Sequence, residues 1–316
     1  MAKNTKIFTL LQNFISQEEI DGILTEFGFK DTARKCDVST LFWCCYIWTE
    51  SWRAVYDVAT EKGLKFVDYS TLSKRLGELN CLIIKRIFGL IVNRLNRAAR
   101  RKMNVKKEIL ALDSTTVTVG KNSLTWAFYH GERSGIKLHI SFTNSTGMPL
   151  QVVETTSLKH DGPIGVDLED QRFIIVADRA YFSIDKANRY AKTNQDFVIR
   201  LKDNIQLNHK KSLNRTPVEG SNIVADFTCT LGTTQKQTKK CHCVVEFTDD
   251  EGEIVRVVTS LRNVTAEEIA GMYKERWAIE SFFFCWIKQN LNVPVLFSTT
   301  KNAVFSQLIY ATLPIE

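Results

Sequence analysis

The hydrophobic positions of this chain change their period once, near residue 107. Before that point they recur at helical spacing: Ile7, Leu10, Leu11 and Ile15, then the aromatic-rich Leu41–Tyr56, then Leu82, Ile83, Ile87, Leu90, Ile91 and Leu95. Ser70–Leu76, following the extended Phe66-Val67-Asp68, predicts a capped helix start. After residue 107 the pattern becomes short β-rich runs over Glu108–Thr118, Ile136–Thr143, Leu150–Thr156 and Phe173–Asp178, separated by turns such as Asn144-Ser145-Thr146-Gly147. A helix is predicted over Phe182–Lys192 and a strand over Asp196–Lys202. Three further β-runs follow at Val224–Leu231, Cys241–Thr248 and Glu253–Thr259. The polar Asn263-Val264-Thr265 with Glu267 and Glu268 reads as the start of a last helix, running through Tyr273 to about Leu291.

This order predicts a helical domain over 1–107 and an α/β domain over 108–316, whose mixed sheet is interrupted by a β-rich insertion at about 203–260. A length of 316 residues suits about two domains, and 44% apolar residues can fill their cores. The longest apolar run, Leu41–Trp48, has eight residues, far short of the roughly 20 that cross a bilayer. With no signal-like start, a cytoplasmic protein without a membrane partner is expected.

Charge sharpens the reading of the first domain. The net charge is only +7, yet nine basic residues and no acidic one lie between Lys85 and Lys107. They share an amphipathic helix with the apolar set above, so the segment is either a solvated face or a phosphate-contacting surface. Eight cysteines in a chain of this length do not form a disulfide scaffold. Cys241-His242-Cys243, with Cys229 nearby, is the one cluster that raises a metal question. Alternation there reads as a strand with both thiols on one face, and no second ligand pair follows.

Three carboxylates stand out. Asp113 follows the apolar Ile109–Leu112, Asp178 ends the run Phe173–Ala177, and Glu280 lies beside Ile279 and Phe282-Phe283-Phe284. Carboxylates after strand ends are where ligands gather in open α/β sheets. Meeting at one point, three would repel one another unless divalent cations sat among them; Mg²⁺ suits such an oxygen site. Tyr273, Arg276 and Glu280 are spaced i, i+3, i+7, one helical stripe, so a hydroxyl and a guanidinium able to hold phosphate would flank the acid. His139 reads as a strand residue of structural kind and His160-Asp161 as a loop that caps the next segment; neither joins the catalytic set.

Tyr273-Lys274-Glu275-Arg276-Trp277-Ala278-Ile279-Glu280 resembles the Y-R-E-K signature of the insertion-sequence-4 family of DDE transposases. Leu112–Thr116 is similar to that family's first-aspartate strand, Lys137-Leu138-His139 to the strand after it, Val176–Tyr181 to its second-aspartate segment, and Phe197–Lys202 to the next strand. The resemblance implies a ribonuclease-H-like core. It also implies cleavage of transposon ends and joining of the freed 3′ hydroxyl to target DNA. Asp113, Asp178 and Glu280 would then be catalytic and hold two Mg²⁺ ions, for which Mn²⁺ could substitute.

By the same resemblance Tyr273, Arg276 and Lys288 grip DNA, with Arg179 beside Asp178 and Arg97, Arg100 and Arg101 of the basic segment. Trp277 either stacks on an unpaired base or, more simply, packs within the helix. Double-stranded DNA is the implied partner, with a homodimer bringing two ends together. The signature lysine belongs seven residues after the glutamate; here Lys288 comes eight after, turned by about 80° on a regular helix unless a π-bulge within Ser281–Trp286 absorbs the extra residue. The chain also ends at Glu316, where family members carry further helix. That spacing and end favour a second reading, a decayed or truncated relative that binds element ends without cutting, and the retained acids favour the enzyme. A different nuclease on the same fold fits the Y-R-E context less well.

Overall fold

The apolar run before Asp113 opens an inner strand of a nine-stranded sheet. The computed structural model describes residues 15–46, 67–102, 108–120, 123–129, 133–144, 146–213, 220–277, 279–280, 298–310 and 312. The strands are β1 (Ile109–Gly120), β2 (Arg133–Thr143), β3 (Met148–Thr156), β4 (Ile174–Ala177), β5 (Phe197–Arg200), β6 (Leu207–Ser212), β7 (Ile223–Leu231), β8 (His242–Thr248) and β9 (Ile254–Thr259). They lie in the order β3-β2-β1-β4-β5-β9-β8-β7-β6. β1, β2 and β3 pair antiparallel, whereas β4 joins β1 and β5 in parallel. Such a β3-β2-β1-β4-β5 order is the ribonuclease-H-like arrangement.

Among the described residues eight helices accompany the sheet: α1 (Gln17–Glu26), α2 (Val38–Tyr46), α3 (Tyr69–Glu78), α4 (Cys81–Lys102), α5 (Asp161–Ile164), α6 (Ile184–Thr193), α7 (Ala266–Glu275) and α8 (Lys301–Tyr310). Their starts follow the cap chemistry. Ser16 with Glu19, and Thr265 with Glu268, form reciprocal capping boxes on α1 and α7. Asp68 accepts from the Ser70 amide at the head of α3. The predicted helix over Ile7–Ile15, apart from Ile15 itself, and the part of Leu41–Tyr56 after Tyr46 fall outside the described residues.

Period-two alternation sends Leu110 and Leu112 of β1 to one face of the sheet, where they pack with Phe173, Tyr181 and Tyr190. Ala111 faces the other way, into a core shared with α2, α3, α4 and α8. Further along that second face α7 covers Val176, Val198 and Val257.

β6 is a strand the hydrophobic pattern does not mark. Leu207-Asn208-His209-Lys210-Lys211-Ser212 is polar because it forms the edge, where lysines discourage pairing with another chain. His209 takes a φ of 55° and the register with β7 slips there. Cys241 and Cys243 also differ from the expected common face: β8 starts only at His242, Cys241 is exposed and Cys243 buried.

The helix predicted to run through Tyr273 to about Leu291 is interrupted within its described part. α7 stops at Glu275, and the chain tightens through Arg276 N to Tyr273 O and Ile279 N to Arg276 O contacts before a π-helical step at 279–280. Asn144 Nδ2 donates to the Glu275 carbonyl at 2.8 Å, taking up a group that the interrupted ladder releases. The π-helical step lies just before Ser281–Trp286, the stretch to which the sequence assigns the extra residue ahead of Lys288. Lys288 itself, like residues 281–297 generally, lies outside the described residues.

Candidate active site

Register fixes the first two acids. In the parallel pair of β1 and β4 the last matched residues are Leu112 and Ala177, so Asp113 and Asp178 are the next residues on adjacent strands. Neighbouring strands lie about 4.8 Å apart. β4 ends there, while β1 runs on beside β2 to Gly120. Both aspartates therefore stand at the carboxyl end of the parallel strands, on the face that α7 covers.

The segment after α7 brings the third acid to them. Arg276 Nη1 lies 2.5 Å from Asp113 Oδ2 and 2.7 Å from Glu280 Oε1, so a single nitrogen bridges two carboxylates. Tyr273 Oη donates to Asp178 Oδ1 at a long 3.5 Å, and the Arg276 guanidinium lies over the Tyr273 ring, 5.5 Å from its centroid. Arg276 and Tyr273 are both buried, as is most of Asp113, whereas the Glu280 side chain is half exposed. Burial pushes the Asp113 carboxyl up to about 7; Glu280 adds to the rise, and Arg276 and the Ser114 amide oppose it.

The other sequence-predicted residues are not all brought to this centre. Trp277 is 43% exposed. Arg179 opens the turn after Asp178, half exposed and 3.7 Å from Asp203. Arg97, Arg100 and Arg101 lie on the last turns of α4, their side chains outside the described part of the structure.

The start of the basic helix has anions of its own. Lys85 meets Glu154 at 2.9 Å, Arg86 meets Glu26 at 3.4 Å, and Arg94 pairs with Glu19. Uncompensated repulsion, the argument for a nucleic-acid surface there, therefore does not apply to these three residues.

A second polar group lies behind Asp113. Asp161, which the sequence marks only as part of a capping loop, stands at the first position of α5. Its carboxylate accepts from Ser114 Oγ at 2.9 Å and from Lys137 Nζ at 3.1 Å. His139 Nδ1 stands 3.2 Å away, and its Nε2 meets Thr155 Oγ1 at 2.9 Å. Burial opposes ionisation of Asp161, but the contacts from His139, Ser114 and Lys137 hold its carboxyl well below the usual carboxylate range. One signal in the sequence points here: Lys137 and His139, two apart on a strand, must share a face.

Among the described residues no three His, Cys, Asp or Glu side chains already converge as a metal cage. A guanidinium lodged between Asp113 and Glu280 nonetheless marks a place that draws a cation, and the donors around it are oxygens, which fits Mg²⁺.

Residues 104–313 match the family model described as Transposase DDE domain. The chain belongs to the DDE transposase family. Members of that family are metal-dependent enzymes that cut and join DNA. This family member is 46% identical over 316 residues to a Geobacillus stearothermophilus protein named "Probable transposase for insertion sequence element IS5377", covering 98% of this chain and 83% of that one. A Synechocystis protein that carries the name transposase for insertion sequence element IS4SA is 28% identical over 256 residues, 77% of this chain and 68% of its own. Among solved structures, the piggyBac transposase synaptic complex with hairpin DNA is similar at a TM-score of 0.39 and 12% identity, over 97% of this chain and 64% of that one.

Among the described residues no helix is long and apolar enough to cross a membrane.

Proposed function

We propose that Asp113, Asp178 and Glu280 are the catalytic acids of a transposase that cleaves the ends of its element and joins the freed 3′ hydroxyl to target DNA. The observation that supports this most is the Arg276 guanidinium drawn between Asp113 and Glu280, beside an Asp178 placed by strand register. When bound among these oxygens, two Mg²⁺ ions, or Mn²⁺ in their place, would activate the attacking oxygen and stabilise the leaving one in an in-line phosphodiester displacement.

The chain's own residues do the rest. Among the described residues the buried Nε–H of Arg276 has no hydrogen-bond partner, and in this reading it donates to a phosphate oxygen. Tyr273 holds Asp178 in place and supports the guanidinium through its ring. Exposed Trp277 offers a stacking face, and Arg179, Lys288 and Arg97, Arg100 and Arg101 extend the contact along the DNA backbone. In this reading residues 1–107 form a DNA-binding domain and 108–316 the catalytic one. A homodimer synapses two ends, and the cytoplasmic protein reaches the nucleoid by binding DNA.

Purified full-length chain incubated with an element-end duplex and Mg²⁺ tests the reading, with Asp178→Ala for comparison. Nicking by the wild type alone is the expected result. Binding without nicking by either protein would leave only the end-binding reading, and equal nicking by both would remove Asp178 from the site.

A further inference from the structure

We propose that Ser114 and Asp161 form a positioning pair that sets the Asp113 carboxylate from the opposite face of the sheet. The inference rests on Asp113 being a metal-holding acid, as proposed above.

Ser114 is connected in both directions. Its backbone amide donates to Asp113 Oδ1 at 2.7 Å, while its hydroxyl donates to Asp161 Oδ1 at 2.9 Å. Alternation along β1 puts Asp113 on the face of α7 and Ser114 on the face of α5 and α6, so the two bonds pull on one residue from two sides of the sheet. The bond to the amide occupies one Asp113 oxygen and turns the other, Oδ2, toward Arg276 and Glu280.

The geometry of the strand ends explains why such a tie is needed. β4 stops at Ala177, so among the described residues the β1 strand beyond Leu112 pairs with β2 alone. Asp161 ties that stretch together across one face of the sheet. It joins Ser114 of β1 to Lys137 and His139 of β2, and His139 passes the contact to Thr155 of β3. α5 is in turn seated against the turn after Asp178. A Cβ on Gly162 would lie 3.5 Å from the Ala180 carbonyl oxygen, and one on Gly165 would lie 2.6 Å from Tyr181 Cδ1. The short helix therefore links the segments beyond both aspartates. Asp161 reaches neither aspartate directly in this arrangement; it acts through Ser114, as groups behind metal ligands do.

The test uses the full-length protein and Mn²⁺ as probe, with bound Mn²⁺ read by electron paramagnetic resonance, alongside nicking of an element-end duplex and binding of that duplex in EDTA. Asp161→Asn and Ser114→Ala are expected to bind Mn²⁺ about 10–100-fold more weakly, in keeping with losses of groups behind metal ligands. Both should bind the duplex in EDTA as the wild type does, and Ser114→Thr should restore Mn²⁺ binding. Should Asp161→Asn not fold, Ser114→Ala decides, because Asp161 there keeps Lys137 and His139. Wild-type Mn²⁺ affinity and nicking in a folded Ser114→Ala protein would overturn the inference. Asp113→Ala separates this from the reading beneath it: if that variant also binds Mn²⁺ normally, the metal site itself lies elsewhere.

Discussion

Arg276 and Asp113, 163 residues apart in sequence, meet at 2.5 Å in the buried centre of the site, and the same guanidinium nitrogen also reaches Glu280. The pair is not a surface ion pair of small worth. Arg276 and Asp113 side chains are 6% and 13% exposed, so removing one leaves the other without solvent to replace it. Arg276→Met should therefore lower unfolding stability by about 3 kcal/mol. Adding Asp113→Asn should return most of that loss, because a neutral amide needs no counter-charge. Glu280→Gln, at a half-exposed position, should cost less than about 1 kcal/mol. Urea denaturation of the Arg276 and Asp113 double-mutant cycle, with Glu280→Gln alongside, checks all three, and additive losses for Arg276 and Asp113 would show that they are not coupled.

Two neighbouring residues on α4 make a contrasting pair. Lys85 meets Glu154, whose side chain on β3 is 5% exposed, whereas Arg86 meets Glu26 with both partners about half exposed. Lys85→Met should destabilise by about 2 kcal/mol or more, since it strands a buried carboxylate, and should loosen α4 from β3. Arg86→Met should stay within about 0.5 kcal/mol. Raising the salt concentration should weaken only the second contact, which thermal melts at low and high ionic strength would show.

These pairs show how far a sequence can be read. The change of hydrophobic period locates the helical and β-rich parts, and apolar runs ending in Asp113 and Asp178 locate two acids, because both signals depend on neighbours along the chain. Helical spacing likewise groups Tyr273, Arg276 and Glu280. The link from Asp161 to Ser114 spans 47 residues and exists only because α5 folds against the middle of β1, a placement no local pattern encodes. The same holds for Glu19, Glu26 and Glu154. They neutralise part of a segment that contains no acid of its own, so a local charge count overstates its pull on DNA. The tightening at Arg276 is invisible in sequence because Asn144, from the β2–β3 turn, supplies the compensating bond.

His242 gives the fold a pH dependence that can be assigned to one group. Burial, with Arg262 and Lys240 adding to it, pushes its pKa down to about 4 from the ordinary histidine value of 6.5. Between those values the unfolded chain takes up a proton that the folded one refuses. Stability from this group is thus constant above about pH 6.5 and falls as pH drops toward 4. His242→Phe, which keeps a ring beside Phe197, should remove that slope. From pH 7.5 to 4.5 the wild type should lose about 2–3 kcal/mol more than the variant. Denaturant melts across that range measure the difference, and parallel profiles would mean that His242 titrates alike in both states.

Trp277 allows stability and DNA handling to be separated. It follows Arg276 directly but is 43% exposed, so its ring is not part of the cores on either face of the sheet. Trp277→Ala should leave stability within about 0.5 kcal/mol, as surface changes do. If the ring stacks on an unpaired base next to the cleavage point, the same change should weaken binding to an end duplex with a frayed terminus by about 1–3 kcal/mol, roughly 5- to 150-fold. Binding to a fully paired duplex should change little, and Trp277→Phe should keep most of the frayed-end affinity. Fluorescence anisotropy with the two duplexes separates the cases: equal weakening on both would make Trp277 a backbone contact, and no weakening on either would remove it from the DNA interface.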